Sequence, residues 1–492
     1  MTFDLTTFAH LPAARAAAAP QAPAVADDAL DLDNAAFDEA VRSAAAALRA
    51  AGIGHGDVVA VKLPNTALLV VTLFAAWRLG AAATPINPYL ARPEVEYQVR
   101  DAGASVLVTD ADSPAGVTVI AADALLDHAP ETVETVAARE DLALLIYTSG
   151  TTGRPKGVML DHANLLAMSE MSTAAFAFDE NDHSLLILPL FHVNAIVVST
   201  LNPLRGGGRV TIAGRFDPRT FFQVLEETGA TYFSAVPTIY TMLNGLPPEV
   251  RPNLPRMRFG VCGAAPASRE LLEGFEARFG FPLIEGYGLS ECTCAATCNP
   301  LDGVRKVGSV GVALPGQRIR IAGPDGAELP AGKPGEVLLA GPNIMRGYLG
   351  RPEETARTVV DGWLHTGDVG ILDEDGYLRI VDRAKDMIIR GGENIYPKEI
   401  ETAVYGVHGV AEAAVIGRPD AKYGELPVLY LSAAPGAHLD IDTVAAHARE
   451  QLAKYKQPVA ITLLDALPKN PVGKIDKPAL RRLDAAAAGP SA

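Results

Sequence analysis

The strongest chemical signal in the sequence is the segment Tyr147-Thr-Ser-Gly-Thr-Thr-Gly-Arg-Pro-Lys-Gly157. Thr148, Ser149, Gly150, Thr151, Thr152 and Gly153 offer backbone N–H groups and hydroxyls, and Lys156 adds a cation. A loop of this kind holds a polyphosphate. It is not a Walker A loop, because G-x-x-x-x-G-K-[ST] is absent and Val158-Met-Leu160 reads as a strand. No G-x-G-x-x-G opens a helix here, so a dinucleotide-binding reading fails as well. Cys292, Cys294 and Cys298 form C-x-C-x₃-C, which lacks the paired C-x-x-C spacing of zinc sites. His192 sits in an apolar stretch and reads as a wall or core residue rather than a catalytic base.

The elements that must carry these residues follow from periodicity. Phe37 to Ala51 reads as a helix closed by Gly52, Asp57 to Leu63 as a strand, Leu68 to Leu79 as an apolar helix, and Val106 to Thr109 and Leu142 to Tyr147 as strands. Strands alternating with helices at this spacing predict a layered α/β core with buried parallel strands. From about Gly308 glycine and proline recur every few residues, an all-β texture that predicts a β-barrel lobe or small sheet. Asp373-Glu-Asp-Gly376 reads as a hairpin turn. After Asp382–Lys385 strand and helix alternate again: Lys398 to Tyr405 and Thr443 to Leu452 helical, Val410 to Ile416 and Val428 to Leu431 extended. The expected organisation is an N-terminal domain of layered α/β sheets over residues 1–381 with a β-barrel-like lobe at about 300–381, a hinge at 382–385, and a small mobile C-terminal α+β domain over 386–492 that carries Lys474.

The chain has 492 residues, 42 Lys plus Arg and 58 Asp plus Glu, a formal charge of −16. That length corresponds to roughly three domains or lobes. Duplex nucleic acid and anionic lipid are disfavoured as partners by such a negative field, so phosphate must be met by locally placed cations. The apolar run Ala67 to Trp77 stops at Arg78, short of the ~18 residues of a membrane span. The N-terminus has no basic n-region, and four cysteines do not make a disulfide framework. A cytoplasmic protein is expected.

The phosphate-loop string resembles that of the adenylate-forming superfamily, which holds the acyl-CoA synthetases, the luciferases and the adenylation domains of peptide synthetases. The resemblance continues in the family's order over nearly the whole chain. Val261-Cys-Gly-Ala-Ala-Pro266 is similar to the adenine-facing segment, with Gly263, Ala264 and Ala265 toward the nucleotide. Glu285-Gly-Tyr-Gly-Leu-Ser-Glu291 resembles the Tyr-Gly-x-Thr-Glu motif, with Ser290 where threonine is usual. Trp363-Leu-His-Thr-Gly-Asp368, the hinge Asp382-Arg-Ala-Lys-Asp-Met-Ile388, Gly391 to Glu401, and Pro468 to Lys477 complete the series.

The resemblance implies two half-reactions. ATP·Mg²⁺ and a carboxylic acid give acyl-AMP and pyrophosphate; the thiol of CoA then gives a thioester and AMP. Joining a carboxylate to the α-phosphate brings two anions together, so positive charge must stand where negative charge builds. By resemblance Lys474 is the catalytic lysine. Glu291 holds Mg²⁺, with Thr148 as a weaker ligand, and Ser290 keeps the hydroxyl of its motif. Glu285, Gly286, Tyr287 and Gly288 line the nucleotide, Tyr287 by stacking. Asp368 accepts from the ribose hydroxyls and Arg383 binds ribose or phosphate. Lys385 is the hinge about which the small domain turns, withdrawing Lys474 and presenting Gly391 and Gly392 to CoA.

Three readings compete: a free-standing acyl-CoA synthetase, monomeric or homodimeric; an adenylation enzyme that loads a carrier protein in trans or passes the adenylate to another nucleophile; and a non-enzymatic adenylate binder. The third is disfavoured by the presence of Lys474, Glu291, Asp368 and Arg383 together. Amino-acid loading is disfavoured because Phe191 is followed by His192, where those domains place an aspartate, and no carrier domain is expected after the lysine motif. His192, Asn194, Ser234, Ala235, Val261, Gly286 and Cys292 are the candidate acyl pocket. Asn299 to Gly303 and Val310 to Gly316 look similar to malonyl-CoA synthetases, yet Gly286 and Asn194 replace the arginine and second histidine that serve a distal carboxylate there. Gly286 instead resembles the 4-coumarate–CoA ligases. An unpaired buried carboxylate would cost several kcal/mol, so the expected substrate is an uncharged-tail monocarboxylate, aromatic ahead of medium-chain aliphatic.

Overall fold

A computed structural model describes residues 2–111, 116–131, 134–148, 155–265, 267–383, 386–390, 393–420, 422–434, 436–470 and 474–488. The first parallel layer is built on β1 (Val58–Lys62), α1 (Ala67–Arg78), β2 (Ala82–Pro85), β3 (Val106–Thr109), β4 (Leu142–Thr148) and β5 (Lys156–Asp161). Its seven strands run in the order Gly347–Tyr348, β5, β4, β2, β1, β3, Thr118–Ile120. β1 to β4 are apolar because helices cover the sheet. Thr66 caps α1 by accepting from the Leu69 N–H, and the helix is buried along its length. Trp77 on α1 donates to the Ala143 carbonyl at 2.8 Å. The Thr84 hydroxyl on β2 donates to the Leu145 carbonyl at 3.0 Å. These bonds seat β4, whose last residue, Thr148, opens the string expected to hold polyphosphate. β4 and β5 then pair antiparallel, Thr148 opposite Lys156.

The second layer has nine strands, in the order Val312–Ala313, Thr297–Cys298, Leu283–Tyr287, Phe259–Cys262, Tyr232–Ala235, His183–Leu186, Arg209–Ile212, Pro23–Ala26, Asp31–Asp33. We label β6 (His183–Leu186), β7 (Arg209–Ile212), β8 (Tyr232–Ala235), β9 (Phe259–Cys262), β10 (Leu283–Tyr287) and β11 (Thr297–Cys298). The run from β7 through β10 is parallel. An aromatic cluster containing Phe221, Phe233, Tyr240, Phe275 and Phe281 is buried beneath it. The helix expected from Phe37 begins earlier, at Asn34. The Asp33 carboxylate accepts from the Ala36 N–H at 2.8 Å, so the cap starts the helix before its first large apolar residue.

The Gly- and Pro-rich region forms the small sheet of the two all-β alternatives. Its path is Arg318–Ala322, Gly335–Ala340, β13 (Trp363–Leu372), Val359–Val360, with β14 (Leu378–Arg383) pairing β13. Between Gly335–Ala340 and Val359–Val360 lie β12 (Gly347–Tyr348) and α2 (Pro352–Thr358). Asp373 to Gly376 is the turn of the β13–β14 hairpin, as its sequence predicts: the Asp373 carboxylate accepts from the Asp375 and Tyr377 N–H groups. The chain divides into two compact units, Met1–Ile319 with Leu339–His365, and Arg320–Leu338 with Thr366–Ala492. In the second unit α3 (Pro397–Tyr405) is followed by the long hairpin β15 (Val410–Asp420) and β16 (Gly424–Ala433). Ile400, Val404, Val415, Leu429 and Val444 share one core on this hairpin. Among the described residues no helix is long and apolar enough to cross a membrane.

Gly311 shows how tightly the edge strands beside β10 are packed. Its φ is +87°, and a Cβ there would stand 1.9 Å from the Cys298 carbonyl carbon. Gly311→Ala combines left-handed backbone strain with a backbone clash. It is expected to cost about 3 kcal/mol or more, seen as a lowered urea-unfolding midpoint of the purified protein; an unchanged midpoint would contradict this packing.

Candidate active site

In an open α/β sheet ligands bind beyond the carboxyl ends of the parallel strands. Three adjacent strands deliver expected site residues to that edge: Ser234 and Ala235 end β8, Val261 lies near the end of β9, and Gly286 and Tyr287 end β10. The Ser234 hydroxyl donates to Asn194 Oδ1 at 2.9 Å, and the Asn194 side chain is also hydrogen-bonded to the Cys294 thiol. His192 packs beside Phe191, with ring centroids 4.4 Å apart. The Val261 carbonyl accepts from the Tyr240 hydroxyl at 2.8 Å. A Cβ at Gly286 would meet the Thr297 carbonyl at 3.1 Å, so a larger residue there must push against β11. Asn194, Ser234 and Cys294, together with the position of Gly286, form a neutral wall.

The turn after β10 is held by close backbone approach. A Cβ on Gly288 would lie 2.1 Å from the Cys294 carbonyl oxygen. Thr293 and Cys294 take positive φ, 53° and 97°, as does Ala264 at 66°. Such strain persists only where surrounding structure fixes it. Around Thr293 and Cys294, Asn343 does that fixing: its side-chain amide donates to the Cys292 and Ala295 carbonyls at 2.9 and 3.1 Å, and its main-chain carbonyl accepts from the Thr293 hydroxyl at 2.6 Å. Cys292 is fully buried, its sulfur bonded at 3.3 Å to the Leu289 N–H and carbonyl. It therefore supports the turn from behind. Burial pushes the Cys294 and Cys298 thiols up to about 12.

The short 3₁₀ turn Ser290–Cys292 carries Glu291. Glu291 Oε1 accepts from the Tyr348 hydroxyl at 2.8 Å. Burial, and next the nearby Glu291, push the Tyr348 phenol up, so it serves as a donor. Lys156 Nζ lies 3.7 Å from the Tyr348 ring centroid and 2.8 Å from Glu354 Oε1. Thr148 Oγ1 is buried without a hydrogen-bond partner among the described residues. Tyr348, Asn343 and Glu354 are site residues that the sequence reading missed. Their partners are distant in the chain, and nothing in the Gly-Tyr-Leu-Gly or Pro-Glu-Glu-Thr context marks them. Ser149, Gly150, Thr151, Thr152 and Gly153 lie outside the described residues.

Gly263, Ala264 and Ala265 follow β9, and the carboxyl group of Glu285, on β10, lies just beneath this segment. It is buried, with the Ala267 N–H 3.4 Å from Oε1. Burial lifts its pKa from 4.5 to about 7.

In the second unit Asp368 is buried on β13, opposite Arg383 in the ladder. Gly367 precedes it at φ +69°, and the Asp368 N–H donates to the Thr366 hydroxyl at 3.1 Å. Lys474 is exposed and bonded to Asn470. The Lys474 N–H donates to Asn470 Oδ1 at 2.9 Å and the Asn470 N–H to the Lys474 carbonyl at 2.8 Å. Lys385, Gly391 and Gly392 lie outside the described residues. Chemically, the first unit offers a fixed carboxylate, a cation, an unpartnered hydroxyl and a set of neutral residues near the strand ends; the second offers a buried carboxylate and an exposed lysine.

The family described as AMP-binding enzyme matches residues 13–349, and its C-terminal domain matches residues 399–474. Feruloyl-CoA synthase of Amycolatopsis sp is 39% identical over 482 residues, covering 96% of this chain and 98% of its own. The ATP-bound crystal structure of MatB from Rhodopseudomonas palustris is similar with a TM-score of 0.90 and 33% identity, over 96% of this chain and 98% of that one. O-succinylbenzoate coenzyme A synthetase of Bacillus subtilis, in complex with ATP and magnesium ion, is similar with a TM-score of 0.87 and 32% identity, over 95% and 98%.

Glu285 carries a pH dependence of stability. Its folded pKa is raised, so folding takes up a proton. The stabilising contribution is complete below about pH 4.5 and is lost as pH rises through about 7. The span is worth on the order of 3 kcal/mol. Glu285→Gln is expected to remove most of this slope. Urea unfolding at pH 5 and pH 8 should show the variant gaining on the parent at pH 8; parallel curves would contradict the burial argument.

Proposed function

The chain belongs to the AMP-binding, adenylate-forming enzyme family and is an ATP-dependent, AMP-forming carboxylate–CoA ligase, and we propose that its acid is a monocarboxylate with an uncharged tail, aromatic ahead of medium-chain aliphatic. One observation carries this reading: the candidate pocket positions Ser234, Ala235, Val261 and Gly286 at the strand ends, and Asn194 on the short helix Val193–Ile196, hold no cation, and the polar ones bond to each other. A distal carboxylate would be buried there without a counter-charge. The feruloyl-CoA synthase relative, by its name, makes the thioester of an aryl monocarboxylate, which supports the aromatic preference.

In the first half-reaction the acid carboxylate attacks the α-phosphate of ATP, the bond to the β-phosphate breaks, and pyrophosphate leaves. We assign Lys474 to the charge that builds between carboxylate and α-phosphate. Tyr287 and the Gly263–Ala265 segment face the base, and Asp368 and Arg383 the ribose. Magnesium suits Glu291, a hard oxygen donor whose orientation Tyr348 fixes, and the unpartnered Thr148 hydroxyl is a second oxygen of the right chemistry. When bound, the ion neutralises phosphate charge. In the second half-reaction the CoA thiol attacks the acyl carbonyl and AMP leaves, with Gly391 and Gly392 toward the CoA and Lys385 as the turning point.

Pyrophosphate release should be measured across benzoate- and cinnamate-type acids, hexanoate to decanoate, and malonate, with and without CoA. The expected order places aryl acids first and malonate at background. A preference for malonate or another diacid would overturn the role given to Gly286, and release unaffected by CoA would point to another acceptor. With the best acid, Lys474→Ala is expected to slow acyl-AMP formation by about 10²- to 10³-fold while largely sparing thioester formation from supplied acyl-AMP. Equal losses in both steps would remove Lys474 from its assignment.

A further inference from the structure

Lys156 is already engaged before any nucleotide is considered. Its ammonium is paired to Glu354 at 2.8 Å and lies over the Tyr348 ring at 3.7 Å, with 14% of the lysine side chain and 28% of the glutamate exposed. Glu354 is not on a loose segment. It rides on α2, whose Thr355 hydroxyl accepts from the Tyr348 N–H and donates to the Arg351 carbonyl, both at 2.9 Å. The Arg351 guanidinium reaches the Tyr97 hydroxyl at 3.1 Å, and that hydroxyl donates to the Pro155 carbonyl at 2.8 Å. The residue before the lysine and the helix bearing the glutamate are thus fastened to one another. An ammonium turned toward Glu354 has fewer protons for a polyphosphate.

We propose that Glu354 is a built-in competitor for Lys156. Nucleoside triphosphate must exchange Glu354 for a phosphate oxygen as the partner of the lysine, and return of the lysine to Glu354 assists departure of pyrophosphate. The carboxylate thereby sets the affinity for both the triphosphate and the pyrophosphate product. No covalent step is involved. The inference rests on the reading of Lys156 as a phosphate-binding cation.

The test is calorimetric titration of the full-length protein with MgATP, and separately with magnesium pyrophosphate, in the absence of acid. E354Q is expected to tighten both dissociation constants by about three- to tenfold, the range for removing one partly buried ionic partner. In a K156A background E354Q should change neither constant. E354A, which lacks the polar tip, should tighten both as E354Q does and carries the test should E354Q fail to fold. If the parent protein binds MgATP and the Glu354 substitutions leave affinity unchanged or weaker, the exchange is refuted and the nucleotide reading stands. An effect that persists without Lys156 refutes it also. If the parent protein does not bind MgATP at all, the nucleotide reading falls and takes this inference with it.

Discussion

Like charge is the constraint on which this molecule is built. A carboxylate must be brought against a triphosphate by a chain with a formal charge of −16. The bulk field opposes both substrates, so attraction has to be local and held in place. The solution in the first unit is a short relay: Glu354, Lys156, the Tyr348 ring, the Tyr348 hydroxyl, Glu291. Each charged group is held by a neighbour of opposite sign or by an aromatic face and its hydroxyl. Tyr348 uses both halves of its side chain, the ring for the cation and the hydroxyl for the carboxylate.

The same economy governs the backbone around Glu291. The turn is compressed until only glycine fits at position 288, and Thr293 and Cys294 are driven into positive φ. Asn343, some fifty residues further along, holds the two carbonyls that this geometry leaves turned inward. The carboxylate is therefore placed by main chain and by a distant amide rather than by packing of its own side chain. Because an orphaned buried carbonyl is expensive, the turn and the Asn343 segment form one cooperative piece.

Much of this was legible in sequence. Strand and helix alternation marked the first parallel layer, since a sheet covered on both faces needs continuous apolar strands, and Leu142 to Tyr147 is such a run. The hairpin at Asp373 to Gly376 was legible because its turn chemistry is local. Candidate site residues within one contiguous string, such as Gly286 to Glu291, were proposed from that string, and the proposed roles of Asp368 and Lys474 rest on the resemblance. What escaped was everything that depends on a partner far away. Asn343 and Tyr348 have no periodicity or spacing that distinguishes them from ordinary loop residues. Glu353 and Glu354 are adjacent carboxylates, and only the placement of α2 decides which one meets Lys156. The early start of the helix at Asn34 was missed because the apolar pattern begins after the cap that nucleates it.

The pocket wall has a consequence for how this protein's preferences can change over generations. Asn194, Ser234 and Gly286 each stand at or beyond the end of a different strand, and the sheet beneath them is held by other residues. Exchanging Asn194 or Ser234 leaves the aromatic cluster under β8 intact, whereas any side chain at Gly286 must push against Thr297 on β11. The Ser234–Asn194 bond couples two of the positions, so a change at either of these favours a matching change at the other. Lineages carrying this scaffold can thus drift between acids in small, separable steps, with the nucleotide chemistry inherited unaltered.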